Sequence, residues 1–284
     1  MITYLIYRLG QFIALSVPLK IGYKIAQVVS DLRYAFAIAD RRATKANLKA
    51  IFPEKPDREI RRIRIRIFRN FAKYLVDFFR FQEIDKDYIE KNIRIENRQY
   101  FEDALSKGKG VVILTAHLGN WELGGIVIAL LGYPFWVVAL PHKDKKVNDF
   151  FNFQRESKGV KVIQLGKAVR ASLNVLKKNE MVALVGDRDF TEKGIVMNFF
   201  GKPTFLPEGA AAFSLKTGAP ILAGFMLRNS DDSFTLTMEK PIEYTPTQDK
   251  EKDIKNIVFE CKAVIEKYIR KYPDQWYMFR RFWL

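Results

Sequence analysis

Cysteine is almost absent from this sequence of 284 residues, which contains one, Cys261. A single cysteine excludes an intrachain disulfide and fits a reducing compartment. Cys261 falls in a Lys/Glu-rich helical pattern and is interpreted as a residue on a helix face. No linker rich in Ser, Gly or Pro interrupts the chain, so one large core is expected.

Long uninterrupted apolar runs are also missing. Residues 2–29 are rich in Leu, Ile and Tyr, but Arg8, Lys20 and Lys24 interrupt them before the roughly 20 apolar residues of a spanning helix accumulate. We predict an interfacial helix with apolar groups toward lipid and basic groups at the lipid phosphates. A helix packed on the protein's own core and a true spanning helix are the alternatives. No signal-peptide cleavage pattern follows, so the catalytic body is expected to stay in the cytoplasm.

Acidic residues are scarce in the first 80 positions, where 17 Lys/Arg face 6 Asp/Glu. This stretch carries about +11 of the formal net charge of +16. Such asymmetry predicts an anionic partner, either nucleic acid or an acidic membrane leaflet. The interleaved apolar residues favour the membrane, and nucleic acid is not expected as a partner.

The pattern along the chain predicts an α/β fold, with a mixed, mostly parallel central sheet flanked by helices. Residues 1–85 are predicted to form a basic, helical, membrane-associating region, and residues 86–284 are predicted to form the catalytic domain on one continuous core. Short apolar runs alternate with helical patterns after about residue 90, which is typical of such a sheet. The predicted strands are 93–95, 111–115, 135–140, 160–164, 181–185, 221–228 and 234–238, and the predicted helices include 57–81, 121–131, 145–157, 167–177 and 249–271.

Two kinds of catalytic machinery have no counterpart in the sequence. No Cys/His/Asp cluster has metal-ligand spacing, so no metal is expected. No Ser or Cys lies in a nucleophile-elbow context such as Gly-x-Ser-x-Gly. Direct attack by an acceptor is therefore favoured over a covalent acyl-enzyme.

One of the two histidines, His117, directly follows an apolar run and precedes a glycine-bearing turn. Glu122 lies five positions on, which would place it roughly 140° from His117 on one continuous helix. The two side chains can meet only if His117 lies in the turn and Glu122 in the first helical turn. We interpret them as a catalytic base and its orienting acid, at the carboxyl end of a strand.

Residues around this pair have two interpretations each. Gly119 permits a close backbone approach, and the amides that open the following helix are candidates to stabilise an oxyanion. Asn120 is a candidate helix cap or substrate ligand. Trp121 fits the core as well as an acyl contact.

Several blocks together resemble the lysophospholipid acyltransferase superfamily, and most closely its lipid A biosynthesis branch of lauroyl and myristoyl transferases. The resemblance spans essentially the whole chain, and the blocks occur in the order of that family. They are Thr-Ala-His117-Leu-Gly-Asn-Trp-Glu122, Gly186-Asp-Arg-Asp189, Phe199-Phe-Gly201, Leu206-Pro-Glu-Gly209 and the tail from Pro273 to Trp283.

The resemblance implies transfer of a fatty acyl group from acyl carrier protein to a hydroxyl of an anionic glycolipid, a lipid A precursor. It implies His117 as base, Glu122 as its partner, and no metal or prosthetic group as cofactor. It also implies a peripheral or monotopic location at the cytoplasmic face of the inner membrane. Lysophosphatidate or phosphatidylinositol mannoside acylation is the enzymatic alternative, and a basic nucleic-acid-binding protein or a silent membrane scaffold is the alternative of another class.

Five residues are expected to bind substrate. Arg188 follows an apolar strand, and its planar guanidinium suits a phosphate, although an ion pair with a neighbouring aspartate is the alternative. Arg155 is a candidate substrate ligand, and its alternative interpretation is a residue on a solvated helix face. Glu208 is a candidate ligand of the acceptor, and its alternative role is to complement the positive end of a helix. Asn120 and Asp187 complete the set.

Two departures from the superfamily bear on the acceptor. Glycerophosphate-type enzymes typically follow Pro-Glu-Gly with Thr-Arg, whereas Ala210, Ala211 and Ala212 follow here. Phe279 stands where lipid A enzymes often have His. The first departure disfavours a glycerophospholipid as the acceptor. The second leaves a related glycolipid, such as a phosphatidylinositol mannoside, as an alternative acceptor. The aromatic tail itself fits a membrane-interface belt or a segment packed on the core.

Overall fold

The computed structural model describes residues 1–189, 191–247 and 249–284. The described residues form eleven α-helices. These are α1 Ile2–Ser16, α2 Leu19–Phe36, α3 Ile38–Ile51, α4 Asp57–Phe79, α5 Lys86–Asn92, α6 Gln99–Leu105, α7 Trp121–Leu130, α8 Lys145–Glu156, α9 Ala168–Lys177, α10 Gly209–Thr217 and α11 Lys250–Lys271.

The strands are β1 Ile93–Glu96, β2 Val111–Thr115, β3 Phe135–Ala139, β4 Lys161–Gln164, β5 Met181–Val185, β6 Ile195–Phe199, β7 Lys202–Leu206, β8 Ile221–Arg228 and β9 Phe234–Met238. Seven of them form one sheet in the order β1-β9-β8-β2-β5-β3-β4. Its pairings are parallel except for β8 with β9. The predicted fold class is therefore confirmed.

Burial on both faces explains why the central strands have continuous apolar sequences. Along β2, Val112 and Leu114 point to one hydrophobic cluster, while Val111 and Ile113 point to another on the opposite face. Every residue of β8 is buried, including Arg228 at its end. The seven strands predicted from such runs all occur, with ends that differ by at most one residue.

The N-terminal helices share these cores. Ile60, Ile63 and Ile67 of α4 are buried at helical spacing, so the Ile/Arg alternation of this segment belongs to a helix. They pack in the cluster that contains Val112 and Leu114 of the sheet. The arginines between them cover the outer face of α4, which is the pattern of an amphipathic helix.

Helices α1 and α2 differ from the other helices because most of the exposed large apolar side chains lie on them. Tyr7 anchors α1 by packing against Phe79, Phe150 and Phe151. Fifteen large apolar residues before position 40 are exposed, among them Ile6 at 62% and Phe12 at 68%. Within the described ranges, none of the helices combines the length and apolar character needed to cross a membrane.

A two-stranded hairpin, β6–β7, was not expected from the sequence. Its turn places Phe200 and Gly201 at φ of 51° and 80°, and a phenylalanine is a weak turn signal compared with Asn or Asp. Pro203 lies within β7, where a proline normally argues against a strand. An isolated hairpin tolerates this proline because its outer edge needs no amide partner.

The aromatic tail packs on the core. Trp276, Tyr277 and Met278 are all buried in the cluster that lies under the sheet. Phe279 contacts Phe68 and Phe71, with ring centroids 5.0 and 5.1 Å apart. The structure therefore favours the core interpretation of this segment over an exposed membrane belt.

Candidate active site

The carboxyl ends of β2 and β5 place two titratable side chains side by side. The strands are parallel, and Thr115 is in register with Val185. His117 and Asp187 each follow two residues later, so the sheet brings them together at its carboxyl edge. The distance from His117 Nδ1 to Asp187 Oδ1 is 2.7 Å.

The turn that carries His117 has the predicted form. Gly119 has a φ of 63°, and α7 begins at Trp121, so His117 lies in the turn and Glu122 in the first helical turn. A Cβ on Gly119 would lie 2.0 Å from the Met226 carbonyl oxygen. Only glycine fits at this position, because its backbone is left-handed and a side chain would clash with the backbone of Met226.

A C-terminal segment closes over the turn. The Gly119 amide donates to the Gln275 carbonyl at 2.9 Å, and the Tyr277 amide donates to the His117 carbonyl at 3.0 Å. The Asn120 amide donates to the Met226 carbonyl at 2.8 Å. The amides of Gly119 and Asn120 thus donate to protein carbonyls, and the oxyanion role of the amides that open α7 stays a prediction.

Asp187 holds the imidazole in one orientation. Its side chain is completely buried, and its second oxygen accepts from the Trp276 indole at 3.0 Å. A carboxylate only accepts, so we assign the imidazole proton to Nδ1. Arg188 Nε also lies 3.0 Å from Nδ1, and with this tautomer that contact is between two donors. Nε2 then presents its lone pair as the basic position of the ring.

The charge of Asp187 is stabilised by these neighbours. Burial alone would raise its pKa, but His117, Arg188 and the Trp276 indole lower the pKa below the ordinary value of 3.8. For Arg188, burial lowers the pKa most, while Asp187 opposes that shift and Arg280 adds to it. Asp187 is therefore a charged, buried partner of the histidine, which corrects the expectation that it binds substrate.

Glu122 has a different partner from the one expected. Its carboxylate accepts from Arg155 Nε at 2.8 Å and from Nη2 at 2.5 Å. Burial opposes the charge of Arg155, but Glu122 raises the pKa of the guanidinium above its ordinary value. The carboxylate bonded to His117 is Asp187, so the expected orienting acid is corrected. The reason is that the first turn of α7 directs Glu122 toward α8.

Asn120 is also corrected as a substrate ligand. Its side chain is 1% exposed, and its Oδ1 accepts from the Leu123 amide at 3.1 Å, which caps α7. Its Nδ2 donates to Asp77 at 2.9 Å. Both ends of the amide are therefore used within the protein, and the capping alternative is confirmed.

A cavity of about 720 Å³ opens at this edge of the sheet. Its polar lining includes His117, Arg155, Arg188 and Glu208, while Asn120 and Asp187 lie behind the surface. The apolar lining comes partly from α7, β3 and β9, and includes Gly124, Gly125, Ile128, Phe135, Val137 and Met238. This part of the cavity runs along β3 from Phe135, the first residue of the strand, to Ala139, the last.

The sequence reasoning missed two residues of the site. Trp276 donates to Asp187, but it lies 89 residues away along the chain. His142, the second histidine, lines the cavity just after β3, with its ring 4.5 Å from that of Phe151. Burial and the neighbouring Arg155 lower the pKa of His142 below 6.5. Its position after an apolar strand was the available signal.

A cavity-lining histidine bonded to a buried carboxylate, beside a mostly apolar cavity, fits the class of enzymes that acylate lipids. The sequence profile of the bacterial lipid A biosynthesis acyltransferase family matches residues 1–284. The chain therefore belongs to this family, and it is an acyltransferase.

The sequence is similar to two kinds of acyltransferase, which act in phosphatidylinositol mannoside and in lipid A synthesis according to their names. It is 26% identical over 222 residues to a phosphatidylinositol mannoside acyltransferase of Mycolicibacterium smegmatis, covering 76% of this chain and 70% of that protein. A Mycobacterium tuberculosis protein of the same description is 30% identical over 159 residues, 54% of this chain and about half of its own length, at 50%. A lipid A biosynthesis palmitoleoyltransferase of Escherichia coli is 24% identical over 242 residues, covering 84% and 77%.

Proposed function

We propose that this chain transfers a fatty acyl group from an acyl carrier protein thioester to a hydroxyl of a lipid A precursor, with His117 as general base. The observation that carries this proposal is the His117–Asp187 pair. His117, which provides the basic nitrogen, lines the cavity. A neutral imidazole removes a proton near neutral pH, and a carboxylate on its other nitrogen stabilises the imidazolium.

In the proposed reaction the acceptor hydroxyl oxygen attacks the thioester carbonyl carbon while His117 Nε2 takes the hydroxyl proton. This attack forms the carbon–oxygen bond of the ester, and collapse of the tetrahedral intermediate re-forms the carbonyl and breaks the carbon–sulfur bond. The leaving thiolate then takes the proton from His117. The apolar part of the cavity would hold the acyl chain, since water-excluding pockets of this size suit a lipid.

Acceptor recognition is assigned to the polar part of the cavity. Arg188 would bind a phosphate of the acceptor, and Glu208, at the start of α10, would bind a hydroxyl. Arg155 is held by Glu122, so we propose that it shapes the cavity mouth and presents its remaining N–H to the acceptor. Ala210 and Ala211 line the cavity without any phosphate-binding group, which favours a larger glycolipid over a glycerophosphate.

Phosphatidylinositol mannoside is the second candidate acceptor, because the relatives described above include enzymes of that name. Phe279 does not bear on this choice, since its ring packs between Phe68 and Phe71.

The direct test offers acyl carrier protein loaded with a fatty acid to the enzyme and to its His117→Ala variant, with each acceptor separately. We expect turnover of the lipid A precursor by the unaltered enzyme and a loss of about 10²–10⁴-fold on removal of the base. If the enzyme acylates only the mannoside, the proposed acceptor is phosphatidylinositol mannoside and not the lipid A precursor. Near-normal turnover by His117→Ala would remove the general-base role.

We also propose that residues 1–85 hold the enzyme on the cytoplasmic face of the inner membrane. The exposed apolar side chains of α1 and α2 lie beside Arg8, Lys20 and Lys24, the composition of a helix that lies in the headgroup plane. Each basic group near an anionic leaflet contributes about 1 kcal/mol.

Flotation with vesicles that contain anionic lipid tests this surface. Phe12→Glu on α1 should sharply lower the bound fraction, whereas Phe259→Glu on α11 should leave it unchanged. The two changes are matched because both rings are exposed, at 68% and 51%. Equal losses would place the membrane contact elsewhere. Binding to DNA at physiological salt, in the absence of vesicles, would favour the nucleic-acid alternative.

A further inference from the structure

A buried carboxylate, Asp77, joins three separate parts of the chain. It lies in α4 and is 4% exposed. Its Oδ1 accepts from the hydroxyl of Tyr23 in α2. Its Oδ2 accepts from Asn120 Nδ2 at 2.9 Å and from the guanidinium of Arg228 at the end of β8. Two N-terminal helices and the sheet thus meet at one charged group.

Both partners on the catalytic side lead to the His117 turn. Asn120 caps α7 with its Oδ1, so Asp77 fixes the amide in the only orientation that caps the helix. Asp77 binds the side chain of Arg228, and the backbone of Arg228 exchanges two hydrogen bonds of 2.9 Å with the side chain of Gln275: the Arg228 amide donates to Gln275 Oε1, and Gln275 Nε2 donates to the Arg228 carbonyl. The carbonyl of Gln275 in turn receives the Gly119 amide. Asp77 therefore acts on the turn at two consecutive positions.

Stability alone does not account for such a cluster. A buried ion pair is often no more stabilising than apolar side chains of the same volume, but it fixes geometry. Arg228 is also held over the rings of Tyr23 and Phe234, 4.9 and 4.6 Å from their centroids. Burial opposes its charge, but Asp77 raises the pKa of Arg228 above its ordinary value. Burial raises the pKa of Asp77 above its ordinary value, against the opposing effects of Arg228, Tyr23 and Asn120. The cationic Arg228 and the hydrogen bonds from Tyr23 and Asn120 fix the side chain of Asp77 in place.

We infer that Asp77 is a positioning residue for acyl transfer, which holds the His117 turn through Asn120 and Arg228. The inference rests on the proposed role of His117. Tyr23 extends the same connection to α2, the helix that exposes Ile25, Val28 and Val29 on its outer side. The cluster therefore links the lipid-facing helices to the catalytic turn.

The test uses Asp77→Asn in the full-length protein, in detergent or on vesicles. We expect kcat per folded molecule to fall about ten- to hundredfold, because displacements near 1 Å have such effects on catalysis. KM for the acyl donor should change less than about threefold, since Asp77 lies outside the cavity. Tyr23→Phe should lower kcat in the same direction by a smaller factor.

Asp253→Asn is the matched control. Asp253 is also 4% exposed and accepts two hydrogen bonds, both from Thr247, far from the turn. Its loss should lower Tm without changing kcat per folded molecule. If Asp77→Asn does not fold, the double variant Asp77→Asn with Arg228→Gln removes both charges and is judged by the same criteria.

A second measurement separates this inference from the proposed function. With two histidines in the chain, the ring NMR signals of His117 can be assigned by comparison with His117→Ala. The ring signals of His117 should shift in Asp77→Asn and not in Asp253→Asn. If His117→Ala retains turnover, the base assignment fails, and the ring signals alone judge the positioning role. An unchanged kcat per folded molecule in Asp77→Asn would overturn the positioning role of Asp77. If His117→Ala retains turnover, unchanged ring signals of His117 in Asp77→Asn would overturn it instead.

Discussion

The inner and outer parts of the active site each contain a carboxylate bonded to a basic side chain, and the two pairs differ in what they can do. Inside, Asp187 bonds His117, whose imidazole can both accept and donate a proton. Outside, Glu122 bonds Arg155, whose guanidinium stays protonated. Only the inner pair can transfer a proton. The outer pair shapes the cavity, although Glu122 is the carboxylate closer to His117 in sequence.

The largest expected effect distinguishes these roles at the inner pair. Asp187→Asn should lower kcat by about 10²–10⁴-fold, because an amide cannot stabilise the imidazolium and can favour the wrong tautomer. KM should change little, since Asp187 lies behind the cavity surface. Steady-state kinetics checks both values. A kcat within threefold of the unaltered enzyme would contradict the assignment of Asp187.

Breaking the outer pair should mainly affect stability. Both side chains are about 90% buried, at 10% and 11% exposure, so Glu122→Gln leaves a buried guanidinium without its carboxylate. We expect a loss of about 3–5 kcal/mol in the free energy of unfolding. Urea denaturation measures the loss, and kcat per folded molecule should fall less than in Asp187→Asn. A kcat loss as large as that of Asp187→Asn, with unaltered stability, would restore Glu122 as the catalytic partner.

Trp276→Phe examines the support of the inner pair. The change removes one hydrogen bond to Asp187 and keeps most of the buried aromatic volume. A hydrogen bond to a charged group contributes about 1.5 kcal/mol, so kcat should fall up to about tenfold. The kcat of Trp283→Phe, whose indole donates to the Phe199 carbonyl at 2.7 Å, provides the comparison and should stay near normal.

The smallest effect is on acid stability. The folded-state pKa of Asp187 lies below its unfolded value near 3.8, so its contribution is complete above that pH and is lost as the pH falls further. The Tm of the unaltered protein should therefore decline more steeply below pH 4 than that of Asp187→Asn. Parallel Tm curves from pH 5 to pH 2.5 would contradict the pKa shift.

The sheet was predictable because its strands are continuous apolar runs, and parallel burial on two faces requires such runs. The position of His117 and of the α7 start followed from Gly119 and Asn120. The partner of His117 did not follow, since it depends on the pairing of β2 with β5. Once Thr115 is known to lie beside Val185, the proximity of His117 and Asp187 is a matter of counting. Sequence distance favoured Glu122 because strand order was not visible.

Composition was a poor guide at the two aromatic, basic ends of the chain. Both fit a membrane interface, yet α1 and α2 expose their apolar residues while Trp276 and Tyr277 are buried. The difference arises because the C-terminal segment finds backbone partners in the turn at His117 and Gly119. Such partners are set by tertiary contacts across more than 150 residues, and no local pattern encodes them.

The bonds from residues 275–277 to the His117 turn also set an order of events during synthesis. Chains emerge from the ribosome N-terminus first, so α1 and α2 are available to meet a bilayer long before Gln275 and Tyr277 exist. Until those residues dock, Gly119 and His117 lack their backbone partners and Asp187 lacks the Trp276 indole. Under the proposed roles of these residues, a nascent chain can thus reach the lipid surface before its catalytic turn is complete, and activity begins only once residues 275–277 have docked.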